Sequence, residues 1–151
     1  MSRRARREEH GAAAVEFALV VPFLLLILFG IISYGWMLSF RQALSQGAAE
    51  GARAAAVTVA DDDAGRTAAA LASLNDSLDL YGVSCSGGSL FRGGTAVGTC
   101  SLTIAACAND TAAQCATVDV DYRYADHPLL PDFPLVPLPD SLHYSAVARV
   151  S

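Results

Sequence analysis

Residues 17–40 read FALVVPFLLLILFGIISYGWMLSF, 24 positions without a charge. A helix needs about 20 predominantly apolar residues to cross a bilayer. The stretch is therefore long enough to span one, with Leu24 to Phe29 as its most apolar part. Tyr34 and Trp36 lie toward its far end, where interfacial aromatics gather. Arg41 closes it. Arg3, Arg4, Arg6 and Arg7 make the upstream flank the more basic one. The positive-inside rule then keeps the N-terminus cytoplasmic and places the rest of the chain outside. A secretory signal is one rival reading, but its apolar core is about 7–15 residues and ends in a small-residue cleavage site. Here the run is longer, and Ser39-Phe40-Arg41 is a poor match to such a site. A plain uncleaved anchor is the other rival.

Outward from this run, the next charge upstream is Glu16, and Gly11 lies five positions before it. A carboxylate at the edge of a spanning segment is costly in lipid and marks a functional position by default. The simpler account is a boundary residue near a helix N-terminus, where negative charge is mildly favoured.

Gly11, Ala12 and Glu16 together resemble the processing site of type IV prepilins and pseudopilins. The resemblance implies a cut after Gly11 by a prepilin peptidase on the cytoplasmic side. Ala12 would become the new N-terminus and Glu16 the fifth residue of the mature chain. An ammonium at Ala12 of one subunit would then pair with Glu16 of a neighbour. Each charge is expensive alone in a low-dielectric bundle, so each favours the packing that supplies the other. The longer string Gly11-Ala-Ala-Ala-Val-Glu-Phe-Ala-Leu-Val-Val-Pro22, then Gly30, then Gly47 through Gly51-Ala-Arg53, is similar to the TadE-like family. Those are minor pseudopilins of bacterial tight-adherence (Flp) pili. The pairs Val118–Tyr122 and Ser145–Arg149 resemble the family's last two strands more weakly. Glu8, Glu9 and His10 beside the cut depart from its leader.

The resemblance implies a pilin-like α+β fold and a role in pilus assembly, which supports adhesion and biofilm formation. The implied partners are the peptidase, the major pilin, other pseudopilins, and a membrane assembly platform with its ATPase. The protein would sit in the inner membrane or pass into the pilus, as the substrate of an enzyme and not an enzyme itself. The alternative is an unprocessed single-pass envelope protein with an external binding or structural head.

Residues 1–11 thus read as a basic leader, 12–57 as one long helix with its membrane span at about 17–40, and 58–151 as an external head. Pro22 removes one helical hydrogen bond, and a kink is expected there. Transmembrane helices tolerate such a proline when neighbours resatisfy the backbone. Beyond Arg41, Ala43, Gly47, Gly51 and Ala55 recur every four residues on one face. Small residues at this spacing allow close helix contact. They would serve subunit packing or seat the helix on its own head.

The formal net charge is -5, and the chain has no lysine. The part after Arg53 is acidic, which excludes the basic footprint of a nucleic-acid binder. Asp61, Asp62 and Asp63 read as the cap of a second helix, whose Ala70, Leu71, Leu74 and Leu78 keep helical spacing to about Leu80. Calcium is the competing reading. Three adjacent aspartates lack the D-x-[DN]-x-[DN]-G spacing, and Gly65 is misplaced for it.

From Tyr81 onward, Gly82, Gly87, Gly88, Gly93, Gly94 and Gly98 mark turns. Residues 101–106 and 117–124 read as strands. Val118, Val120, Tyr122 and Tyr124 alternate with Asp119, Asp121 and Arg123, the pattern of a half-buried antiparallel strand. Prolines 128, 131, 134, 137 and 139 then interrupt Leu129, Leu130, Phe133, Leu135, Val136 and Leu138. This loop would cover the head's core or offer an apolar surface to a partner. Residues 143–150 alternate again and should return beside 117–124.

Cys85, Cys100, Cys107 and Cys115 lie in this external part. An even number there reads as two disulfides, with three possible connectivities. Nearest-neighbour pairs, Cys85–Cys100 and Cys107–Cys115, close the shortest loops and are preferred. Zinc is disfavoured because no C-x-x-C pair exists and His127 and His143 are distant in sequence. The sequence has no phosphate loop, nucleophile elbow or H-E-x-x-H, so no catalytic residue, cofactor or metal site is assigned. Asn75-Asp76-Ser77 matches a glycosylation sequon, a pattern that usually carries no meaning in a bacterial chain.

Overall fold

The computed structural model describes residues 5–60, 62–131 and 137–150, with side chains from residue 12 onward. Arg3, Arg4, Asp61, and the loop residues Phe133, Pro134, Leu135 and Val136 lie outside the described residues. The fold is α+β. A long apolar helix leads into a second helix and a five-stranded antiparallel sheet.

Helix α1 runs Ala5–Val57 without a break at Pro22. Its start lies upstream of the Ala12 boundary read from sequence, because alanine, arginine and glutamate at 5–9 are good helix formers. Helix α2 spans Asp63–Leu78. Asp62 caps it: the Gly65 N–H donates to Asp62 Oδ1 at 2.8 Å. The adjacent aspartates thus have a local role as cap and first-turn residues. A 3-10 turn, Asp79–Tyr81, follows.

The sheet is a meander of β1 (Val83–Ser86), β2 (Ser89–Arg92), β3 (Thr95–Cys107), β4 (Asp110–Tyr122) and β5 (Leu142–Val150), with neighbours in chain order. Gly87 and Gly88 join β1 to β2, and Gly93 and Gly94 join β2 to β3. All four have positive φ, at 57°, 84°, 56° and 83°. Two successive positive φ values make the mirror-image hairpin turn that matches strand twist. β3 and β4 extend well beyond the strands read from sequence. β5 pairs with β4 from Gln114–Val150 to Tyr122–Leu142.

The core lies between the sheet and the second half of α1. Met37, Phe40, Leu44, Ala48, Ala52 and Ala55 form a stripe at helical spacing, all buried. They meet Val118, Val120 and Tyr122 of β4, and Leu74 and Leu78 of α2. The head's core therefore begins inside the apolar run, at residue 37, and not after residue 57.

Phe40 sits at its centre, fully buried. Its ring lies 4.9 Å from that of Tyr81 and 4.8 Å from that of Tyr122, with Tyr124 at 6.5 Å. Burial pushes the Tyr122 and Tyr124 phenols above their ordinary range. The Arg92 guanidinium offsets part of that rise in each. Both keep their protons at neutral pH, and the Tyr122 hydroxyl donates to the His127 carbonyl at 2.8 Å.

Asn75 explains its own sequon. Its Oδ1 accepts from the Cys85 N–H at 2.6 Å, and its Nδ2 donates to the Cys85 carbonyl at 3.2 Å. The side chain so occupies the free edge of β1 as a neighbouring strand would, and ties α2 to the sheet. Asn75→Ala is expected to lower stability by about 1–3 kcal/mol, the cost of orphaning partly buried polar groups. Chemical denaturation of variant and parent checks this. A midpoint unchanged in Asn75→Ala would show that the edge contact contributes nothing.

Candidate functional site

The N-terminal half of α1 presents a different surface from the second half. From Ala12 to Ile32 no residue is buried. Phe17, Leu19, Phe23 and Ile31 are all more than 60% exposed. The segment is long and apolar enough to cross a membrane. So large an apolar surface is unstable in water and requires lipid or other helices around it.

Gly11 and Ala12 lie within the helical backbone of α1. Glu16 is exposed one turn further on and makes no salt bridge among the described residues. One helical turn, about 6 Å, separates the Ala12 backbone from that of Glu16. Pro22 leaves the Ala18 carbonyl without its helical donor.

Residues 11–53 match the family model of TadE-like proteins. The match covers α1 from Gly11 through Arg53 and leaves out α2 and the sheet. No curated protein and no solved structure matches the chain. The TadE-like segment thus includes both the bare half of α1 and most of the half that packs in the head.

Within that segment the small-residue face is turned inward. A Cβ on Gly47 would meet Leu74 Cδ1 at 3.0 Å and Ser77 Cβ at 3.2 Å. One on Gly51 would meet the Ala70 carbonyl oxygen at 3.1 Å. Ala55 is buried and Ala43 half-buried. Gly47 and Gly51 of the stripe thus lie against α2 of the same chain, with Val118 of β4 also close to Gly51.

The junction between bare and covered helix is held by polar contacts that the sequence does not announce. The Tyr34 hydroxyl donates to the Pro137 carbonyl at 2.7 Å. Ser39 Oγ lies 2.6 Å from the Tyr81 hydroxyl. Arg41 Nε donates to the Tyr144 hydroxyl at 2.8 Å. Trp36 packs edge-on to Tyr81 at 5.9 Å between centroids. Arg92 donates to the carbonyls of Pro128 and Leu129. Leu129 and Leu138 pack against the core, so the described parts of the proline-rich loop fold over the head.

Two disulfides complete the head, Cys85–Cys100 and Cys107–Cys115, and no cysteine is free. Thiol ligands for zinc are thus absent. Among the described residues, no three His, Cys, Asp or Glu side chains converge as a metal site. His143 faces Asp121 at 3.6 Å on the solvent side of the sheet, and Arg149 faces Asp110 at 3.3 Å. Both are exposed cross-strand pairs, a class worth little energetically.

Proposed function

We propose that this chain is a minor pseudopilin that takes part in assembling a tight-adherence (Flp) type IV pilus. The observation that carries the reading is the TadE-like match over residues 11–53, which begins at Gly11 and includes Glu16 and the bare apolar helix. The protein enters the inner membrane with its N-terminus cytoplasmic and its head outside. A prepilin peptidase trims it after Gly11. The partners are that peptidase, the major pilin, other pseudopilins and the membrane assembly platform. Two disulfides in the head suit an oxidising external compartment. The role is structural and not catalytic.

Trimming has a physical purpose in this scheme. It removes the arginines that hold the helix across the membrane, and it creates an ammonium group at Ala12. A bare helix whose sole carboxylate meets that amine on a neighbour gains a register as well as a packing surface. Gly11→Ala is expected to leave the arginine-bearing chain intact in peptidase-competent cells, as read by mass spectrometry of the N-terminus. Normal trimming in that variant would refute the assigned cut. Glu16→Ala is expected to be trimmed normally yet lost from assembled pili, read by immunoblot of sheared filaments. Incorporation at the parent level would reject the pairing role.

The alternative, an envelope protein that keeps its leader, shares the fold and the membrane helix. An intact leader on the parent chain in cells with an active peptidase would favour it.

A further inference from the structure

The two edges of the sheet are finished differently. β1 is covered, because Asn75 of α2 bonds the Cys85 backbone on its free side. β5 is bare. It is the last strand in the sheet order, and among the described residues no backbone bond reaches the side turned away from β4. An edge strand offers a row of unpaired N–H and C=O groups, and proteins usually blunt it by shortness, proline, lysine or a bulge. β5 uses none of these. It is 9 residues long, has no proline or lysine, and pairs from Gln114–Val150 to Tyr122–Leu142 without a register shift. Val147, in the middle of its outer face, is 62% exposed. Beside this edge lies a groove of about 340 Å³, lined by Leu38, Arg41, Gln42 and Ser45 of α1 and by Tyr144 of β5. Arg41 is the one charged residue of that lining. Its Nε donates to the Tyr144 hydroxyl at 2.8 Å, and its guanidinium has no carboxylate partner among the described residues.

We infer that the β5 edge is a strand-addition site for a different protein, whose extended segment pairs with β5 and sends a carboxylate into the groove to meet Arg41. In this mode of recognition the backbone ladder gives affinity, and pockets for alternate side chains give specificity. Tyr144 packs on the α1 side of β5, so an added strand directs every second side chain toward the same groove. A planar guanidinium with free N–H groups fits a carboxylate through two parallel bonds, which fixes the charge of the side chain that enters. A second copy of this chain is the wrong occupant. Antiparallel pairing of two β5 edges relates the copies by a two-fold axis through the sheet. Helix α1 lies along that sheet, against β4 and β5. The axis would therefore point the two bare helices in opposite directions, which a shared membrane does not allow. The β1 edge of a second copy is covered as well. Only this exclusion rests on the membrane-spanning part of the proposed function. The bare edge and the unpaired arginine do not.

Photocrosslinking of the full chain in its own cells tests this. One strain carries p-benzoylphenylalanine in place of Val147, and a second carries it in place of Thr103. Thr103 lies opposite Thr117, which lies opposite Val147, so it shares the face but stands two strands further in. The expected result is an adduct from position 147 and not from position 103. The joined peptide, mapped by mass spectrometry, should belong to another protein and carry Asp or Glu in the same extended stretch. Arg41→Glu is expected to lower the adduct yield about tenfold, the loss of one charge-assisted hydrogen bond. Gln42→Glu sets a carboxylate beside Arg41 without removing the bond to Tyr144, and should lower the yield in the same direction. Both side chains are exposed, and unchanged near-ultraviolet circular dichroism would show that the head stays folded in each variant. No adduct at 147, an adduct to a second copy, equal adducts from 147 and 103, or a yield indifferent to both substitutions overturns the inference. An adduct formed by a chain that keeps its leader would leave this inference standing while the processing reading fails.

Discussion

Phe40→Ala lowers the stability of the head by about 3–5 kcal/mol, while Phe23→Ala leaves it unchanged. The two residues belong to the same apolar run and are alike in composition alone. Phe40 is fully buried, whereas Phe23 is 71% exposed. Removing a buried phenylalanine forfeits its transfer free energy and leaves a cavity that the surroundings fill only in part. Here the cavity would open between Tyr81 and Tyr122, whose rings contact Phe40 at tilted and edge angles of 58° and 76°. Such aromatic pairs add about 0.5–1.5 kcal/mol beyond area burial. Phe23 meets lipid or detergent in both folded and unfolded heads, so its removal cancels. Thermal or urea unfolding of the full chain in detergent, followed by near-ultraviolet circular dichroism, checks both. Equal effects from the two substitutions would mean that the apolar run does not divide between lipid and head.

Loss of the Cys85–Cys100 bridge, as Cys85→Ala with Cys100→Ala, should cost about 3 kcal/mol. Loss of Cys107–Cys115 should cost less, about 2.5 kcal/mol or below. The first bridge spans a sequence separation of 15 and the second 8. A longer loop gives up more freedom when the unfolded chain is cross-linked. Location widens the gap. Cys85 and Cys100 are 5% and 2% exposed, so their replacement also disturbs close packing. Cys107 and Cys115 close the end of the β3–β4 hairpin, where the ladder from Gly98–Tyr122 to Ala106–Gln114 already holds the strands in register. Denaturant midpoints of the two double variants decide the order. A larger loss from the 107–115 pair would reverse the assignment of the structural bridge.

The long helix, the second helix, the two strands of the β4–β5 pair and the acidic character of the head were legible because each leaves a readable pattern. Val118, Val120 and Tyr122 alternate with aspartates, and the alternation survives as inward and outward faces of β4. β1 and β2 left no such trace. Four residues between paired glycines are too few to display a period, and only the turns announced themselves. Tyr124 continues the alternation in sequence, yet it lies past the end of β4 and stays buried through its contacts with Tyr122 and Phe40. The roles of Asn75 and Arg92 were hidden for a different reason. Each bonds backbone groups distant in sequence, and a lone polar residue carries no mark of which carbonyl it will reach.

Sequence by itself determined that this chain carries a membrane-length apolar helix, with Gly11, Ala12 and Glu16 at its N-terminal side, because charge and hydropathy are local properties that need no fold to be read. Only the tertiary structure decided which part of that apolar run packs in the head and which part stays bare. Hydrophobicity is not directional, so Phe23 and Phe40 look equivalent until the sheet and α2 close over one and leave the other bare. The same closure turned Gly47 and Gly51 toward α2, a choice between two surfaces that their spacing alone could not make.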